Sequence, residues 1–507
     1  MDKSVKYNFC FFISSLLCII FFSTNEIVVS AFAEEVANQI TLSIQDCISL
    51  ALKSNLNIRI KRIDPQIQDA LLTIAEGRFG SSATFSPSVS SAEDLSSTPG
   101  ITGANVRNSN SQDFTIGVDD SVVTGGSYGL SFLNNRSDSN SSFQTLHPAY
   151  RSGLTLDVTQ PLLEGFGISV NKASITIAKN NKDISLLSLK AQLIGTLSEV
   201  QDTYWELVFA IENLKVQQIA LEQAQDLLKK NQRFKEAGKA TASDVFQAQA
   251  AVASREADVI AAKDAVKDSE DNLKRVTNMI QDESQWDVPI VPVDTPSSEE
   301  INIVLEESIA TALENRPEYA QAKIDLENND ISIKVAQNQR LPSLDLEGSL
   351  SLNGLGGKID EPISQVGKAK YDTWYVGLAL RMPLSGRVTK AELKKSQLEK
   401  EEALISLKDL EQQIITEVRG AVRQLETDQK RIEATKTAEE FARQVLLTEE
   451  KKYELGLSTS YELLQFQSDL ATAAKNRLRA VIDYRKSIVD LYQALGVTLE
   501  KLNIKVE

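Results

Sequence analysis

Two ten-residue stretches decide the fold: Lys235-Glu236-Ala237-Gly238-Lys239-Ala240-Thr241-Ala242-Ser243-Asp244 and Tyr453-Glu454-Leu455-Gly456-Leu457-Ser458-Thr459-Ser460-Tyr461-Glu462. In each, a glycine follows a long proline-free tract, and three residues later comes Thr-x-x-acid. Glycine ends a helix by entering the left-handed region at low cost, and Thr with an acid three residues on caps the start of the next. Each stretch is therefore the tip of an antiparallel helical hairpin.

The tracts on either side support this. Leu197, Val200, Tyr204, Leu207, Ile211, Leu214, Gln218, Leu221, Gln225 and Leu228 step alternately by three and four, as do Leu404, Leu407, Glu411, Ile414, Val418, Ala421, Leu425, Asp428 and Ile432. A sustained 3.5-residue repeat lays an apolar seam along a supercoiling helix. At ~1.5 Å per residue, the tract over residues 169–237 would span roughly 100 Å, too long for a compact domain.

The two tips lie 218 residues apart, and Glu199-Val200, Gln247 and Gln249 recur at that spacing as Glu417-Val418, Gln465 and Gln467. Upstream, Ile48, Ala51 and Leu52 recur as Ile309, Ala312 and Leu313 at a spacing of 261, so the first copy carries about forty additional residues. The chain thus reads as two tandem copies of one unit. The first covers residues 34–288, with a helix, strands with a long insertion at about 81–160, and a hairpin at 166–280. A proline-punctuated linker follows at 289–300. The second covers 301–507, with a helix, strands at about 341–384, and a hairpin at 387–496.

The strand regions alternate with period two. Leu344, Leu346, Leu350 and Leu352 oppose Asp345, Glu347, Ser349 and Ser351, and Trp374, Val376, Leu378 and Leu380 oppose Thr373, Tyr375, Gly377 and Ala379. Leu154, Leu156 and Val158 repeat the pattern, as do Phe114, Ile116 and Val118, and Tyr128, Leu130 and Phe132. Alternation suits a soluble sheet on a core or a membrane barrel with lipid outside and water inside. Two copies supply four to six strands, fewer than the ~8 of the smallest closed barrel, so a barrel needs several chains. Whether the additional segment forms strands or an extracellular loop is open at this level.

Composition removes other classes. One histidine, His147, among 507 residues leaves no multi-His metal site, and the three cysteines, Cys10, Cys18 and Cys47, lack zinc-cluster spacing. No nucleophile motif or phosphate loop is present, so no enzyme, catalytic residue, cofactor or metal is expected. The net charge of −16 and the lack of a basic stripe argue against nucleic acid. Lys3 and Lys6 before the apolar run at residues 9–22, then Ala31-Phe32-Ala33, read as a signal peptide over residues 1–33. Cleavage there leaves Cys47 as the single cysteine.

The doubled unit resembles the TolC-like outer-membrane efflux and export proteins. The resemblance rests on Glu306-Glu307-Ser308-Ile309 through Pro317-Glu318, on Leu341-Pro342-Ser343-Leu344, on Gly377-Leu378 through Met382-Pro383-Leu384, and on Tyr453 to Leu457. It implies an α+β membrane protein, a long α-helical coiled-coil barrel plus an antiparallel twelve-stranded β-barrel completed by a homotrimer. It further implies a place in the outer membrane with the helical barrel in the periplasm, and a passive exit duct of a tripartite efflux or type I secretion system. The implied partners are outer-membrane lipid, a periplasmic adaptor and an inner-membrane pump.

By position, the resemblance assigns adaptor contact to the turns at Gly238, Lys239, Gly456 and Leu457. It assigns the periplasmic constriction to Glu462 and Gln465, and tip links to Asp244, Tyr453, Ser243 and Ser458. Lys239 departs from an apolar third turn position, Gln465 replaces an acid, and Ser458 stands where some members carry arginine. Both glycines also serve as plain helix ends, and Glu462 also completes a capping box with Thr459. An exported coiled-coil scaffold or adhesin without a pore is the competing function.

Overall fold

A computed structural model describes residues 39–96, 99–280, 286–297, 301 and 303–505; the signal-peptide reading over 1–33 falls outside them. The first copy opens with strand β1 (Ile40–Leu42) and helices α1 (Ile44–Ser54), α2 (Leu56–Lys61) and α3 (Asp64–Glu76). Strand β2 (Ser82–Leu95), a short helix α4 (Pro99–Thr102), and strands β3 (Val106–Ser121), β4 (Ser127–Ser139) and β5 (Ala149–Pro161) follow. A single turn α5 (Ile168–Asn171) leads into the hairpin of α6 (Ala173–Glu236) and α7 (Ala242–Thr277).

Within the linker, strand β6 (Ile290–Pro292) returns to pair in parallel with β1. The second copy runs α8 (Leu305–Asn315), α9 (Pro317–Asn338), β7 (Ser343–Gly356), α10 (Asp360–Gly367), β8 (Asp372–Arg381) and the hairpin α11 (Arg387–Glu454) and α12 (Ser460–Leu495), closed by α13 (Thr498–Lys501). The hairpins match in build: 64 and 36 residues in the first, 68 and 36 in the second.

Helix α6 packs along α7 on one side and α12 on the other, while α11 lies along α12. The order across the helical layer is therefore α7, α6, α12, α11. Its middle is held by Leu197, Val200, Tyr204 and Leu207 of α6 against Cys47, Ile48 and Ile58. A second cluster joins Ile414, Val418 and Leu425 of α11 to Tyr484 and Leu491 of α12. Each such side chain contributes about 1.5–3 kcal/mol by leaving water. Ion pairs cross the same helices: Arg431 to Asp483 at 2.6 Å links α11 to α12, and Arg479 to Glu206 at 2.9 Å links α12 to α6.

One expectation shifts here. Down to Leu207 the buried stripe of α6 follows the sequence seam, but nearer the tip it runs through Ala220, Ala224, Leu227 and Asn231. Leu221, Gln225 and Leu228, the seam members expected there, are half-buried. One residue is about 100° around a helix, so α6 buries a different face near the tip, where it meets α11 and α12, from the face it buries at Leu207, where it meets α1.

The other six strands of the described residues form one antiparallel sheet in the order β2-β3-β4-β5-β7-β8. The additional segment of the first copy is therefore two further strands, the hairpin β3–β4, laid between β2 and β5. Among the described residues this sheet has six strands, where a twelve-stranded trimer would use four per chain. Strand β2, at one edge of this sheet, holds Pro87, which has no amide to donate to a ladder.

Candidate functional site

Two regions carry chemistry: one face of the sheet and the far tip of the hairpins. Opposed residues of an antiparallel ladder share a face. Following the pairing across all six strands, one row reads Ala83, Val118, Leu130, Leu156, Leu350, Trp374. The adjacent row on the opposite face reads Thr84, Gly117, Ser131, Thr155, Ser351, Thr373. The first face is apolar and uncovered: Phe85, Ile116, Leu130, Leu156, Leu350 and Trp374 are all exposed, Trp374 by 71%. The second is hydroxyl-rich, with Thr155 and Ser351 in hydrogen-bond contact at 3.0 Å. An uncovered apolar face this broad marks an interaction surface. Its extent on β7, from Leu344 to Leu352, matches the ~9–11 residues with which a tilted strand crosses hydrocarbon. Among the described residues no helix is long and apolar enough to cross a membrane.

At the tip, Gly238 and Gly456 sit at φ of 70° and 75°, as the turn reading requires. The Lys239 and Leu457 amides donate back to the Phe234 and Lys452 carbonyls at 2.7 and 2.8 Å, satisfying orphan carbonyls of the helix ends. Leu455 and Leu457 project into solvent, 75% and 74% exposed, and Lys239 is exposed on the sister turn.

Both capping boxes form. Asp244 Oδ2 accepts from the Thr241 amide and hydroxyl at 2.8 and 2.7 Å. Glu462 Oε2 accepts from the Thr459 amide at 3.1 Å, the Thr459 hydroxyl at 3.2 Å and the Ser458 hydroxyl at 3.0 Å. Both carboxyls lie below their ordinary range: the Thr241 hydroxyl, then its amide, lowers Asp244, and the Thr459 amide, then Ser458, lowers Glu462. Within the chain both shifts favour the charged form. Gln465 is exposed one turn on and donates to Asp469 at 3.0 Å, and Ser243 is exposed on the first turn of α7.

The link expected directly between Asp244 and Tyr453 is built differently. The Tyr453 hydroxyl donates to Asn231 Oδ1, and Asn231 Nδ2 donates to the Ser460 hydroxyl at 2.7 Å and to the Asp244 carbonyl at 3.1 Å. The Asp244 side chain is committed to its cap, so its backbone makes the contact. Asn231 is fully buried beside a small cluster of Leu227, Leu446, Tyr453 and Leu463. Sequence reasoning passed over Asn231 and Ser460. No local signal marked Asn231, which lies about two turns before Gly238 and one residue off the seam expected to continue from Leu228 to Gln232.

The model of the outer membrane efflux protein family matches residues 126–279 and 308–497, well over half of the chain. The outer membrane protein TolC of Vibrio cholerae serotype O1 is 24% identical over 311 residues, 61% of this chain and 69% of that protein. Nodulation protein T of Rhizobium leguminosarum bv. trifolii is 26% identical over 189 residues, 37% of this chain and 39% of its own length. Among solved structures, the Campylobacter jejuni CmeC outer membrane channel superposes with a TM-score of 0.68 at 20% identity, covering 89% of this chain and 85% of that one. The two tandem hairpins and the sheet with its apolar outer face are thus the parts of a shared architecture, and the chain belongs to the outer membrane efflux protein family, with its sheet in the outer membrane and its helices in the periplasm.

Proposed function

We propose that three copies of this protein assemble into a passive exit duct of a tripartite efflux or type I secretion system. The observation that carries the reading is the apolar row running unbroken across six strands while the long hairpins leave from one end of the same sheet. One chain has two free sheet edges, β2 and β8, and buried ladder groups need partners, so closure requires neighbouring copies. In the assembly the apolar rows face lipid, the hydroxyl-rich rows line water, and the helices continue the lumen towards an inner-membrane pump.

At the tip, Leu455, Gly456 and Leu457 with Gly238 and Lys239 offer the exposed surface for a periplasmic adaptor. Glu462 and Gln465 stand on the first turns of the returning helix, where threefold symmetry would bring three copies of each around one axis. The Tyr453–Asn231–Ser460 link holds the two hairpins of one chain together at that level and acts as part of the gate. Asp244 and Ser458 support it through their caps, and Ser243 faces outward on the neighbouring turn.

Planar-bilayer recording of purified protein tests the duct directly. Discrete conductance steps from a detergent-stable trimer are expected. A monomeric, non-conducting protein that still adheres to surfaces would instead support an exported scaffold or adhesin.

A further inference from the structure

The strand number sets this chain apart from the twelve-stranded arrangement its family resemblance implied. The hairpin β3–β4 is paired over its length on both sides, β3 with β2 from Ser82 to Leu95 and β4 with β5 from Ser127 to Ser137. It is therefore part of the wall and not a loop above it. Its residues also keep the wall's two-faced code. Ile116 and Val118 of β3, with Leu130 and Phe132 of β4, continue the apolar face, while Thr115 and Ser131 continue the polar one. A loop in water has no reason to align four large apolar side chains with the rows of its neighbours, because exposing them costs roughly 25 cal/mol per Å². Alternate facing is what a strand between lipid and water needs.

We infer that β3 and β4 are lipid-facing staves and that three copies, joined β8 to β2, close an eighteen-stranded barrel. This rests on the trimeric duct proposed above. Strand direction permits the joint: β2 rises from α3 and β8 descends into α11, so the two edges meet antiparallel. At about 4.8 Å per strand and a tilt near 40°, eighteen strands enclose a cylinder roughly 36 Å across, against about 24 Å for twelve. The perimeter of about 110 Å also suits the helical tube, since twelve helices at ~10 Å spacing occupy about 120 Å. The outer-membrane segment is then about twofold larger in cross-section than a twelve-stranded one, and it does not limit what passes; the tip does.

The test uses the full protein in vesicles of phosphatidylcholine and phosphatidylglycerol. Ile116→Cys and Leu130→Cys report the apolar face of the hairpin, Thr115→Cys and Ser131→Cys the polar face, and Leu156→Cys and Val376→Cys serve as reference staves. Each carries an environment-sensitive fluorophore, with wild-type protein as the blank because Cys47 is fully buried. Lipid-borne quenchers should act on positions 116 and 130 within about twofold of the references, and aqueous iodide on 115 and 131. Iodide quenching at all four positions overturns the inference. Electron cryo-microscopy in lipid discs then counts strands and copies together. Three copies with eighteen strands support it. Three copies with twelve strands and a displaced hairpin overturn it and leave the duct standing, whereas two copies closing twelve strands overturn the trimer as well.

Discussion

The hydroxyl of Tyr453, in the last turn of α11, donates to the side-chain oxygen of Asn231, in the last turns of α6. This bond joins the second copy's hairpin to the first copy's at the tip, and the Asn231 amide spends its protons on Ser460 and on the Asp244 carbonyl.

Replacing Asn231 by Ala strands several buried groups at once, and each unsatisfied group costs about 1–3 kcal/mol. Asn231→Ala is expected to lower thermal stability and raise single-channel conductance severalfold. Tyr453→Phe removes one bond and should give a smaller change in the same direction. Conductance unmoved in both variants would separate this link from gating.

Glu462 is ionised at neutral pH because its capping bonds favour the charged form. Its contribution to helix-start stability is present above the ordinary carboxylate range and fades only as acid brings the pH down through its lowered value. Glu462→Gln keeps an acceptor for the Thr459 amide while deleting charge. If three copies line a constriction, reversal potentials under a salt gradient should show weaker cation preference, with little change in melting temperature. A melting shift without a selectivity shift would leave Glu462 as a cap alone.

Asp202, on the α6 face towards α12, is pushed up to about 7 by burial, with Asp490 raising it further and Lys486 opposing. Its Oδ1 is buried without a partner. A raised acid binds its proton more tightly folded than unfolded, so stability declines as pH climbs from about 4 to about 7. Asp202→Asn should match wild type near pH 4 and melt a few degrees higher at pH 8. Parallel melting curves across that range would contradict this assignment.

On the apolar face, Leu156→Lys should cost about 2–4 kcal/mol per copy at mid-membrane and abolish stable insertion. Thr155→Lys, one residue away on the other face, should insert normally and alter conductance. Fractionation of outer membranes, followed by gel mobility with and without heating, distinguishes the two.

The Cys47 thiol is pushed up to about 12, chiefly by burial. At pH 8 its thiolate population is about a thousandfold below that of a free cysteine. Maleimide should leave the folded protein unlabelled and react on denaturation, which makes Cys47 a reporter of unfolding of the cluster around α1 and α6. Rapid native labelling would show that this cluster opens.

Much of this architecture was readable from local chemistry. Gly238 and Gly456 with Thr241–Asp244 and Thr459–Glu462 are helix ends and starts whatever surrounds them, because capping is satisfied within a few residues. The alternation along Leu344 to Leu352 likewise announces a two-faced strand on its own. The recurrence of these signals 218 residues later carries the doubled unit.

Tertiary structure decided the rest, for reasons of distance. Whether residues about 81–160 were loop or wall depended on ladder pairing, β3 with β2 and β4 with β5, and on β5 meeting β7 more than 180 residues away; the sheet has six strands, the upper end of the four to six the sequence offered. The seam of α6 moved from Leu221, Gln225 and Leu228 to Ala220, Ala224 and Leu227 because the second hairpin, distant in sequence, sets which face is buried near the tip. Asn231 meets Tyr453 across 222 residues of chain, where no local pattern records the match. The sequence by itself determined the helix ends and starts at the two tips, the faces of the strands from β3 to β8 in this sheet and the repeat, since these are settled by nearby residues. Only the packed chain decided which polar group bonds which and how many strands stand in the wall, since those depend on partners that the fold alone brings together.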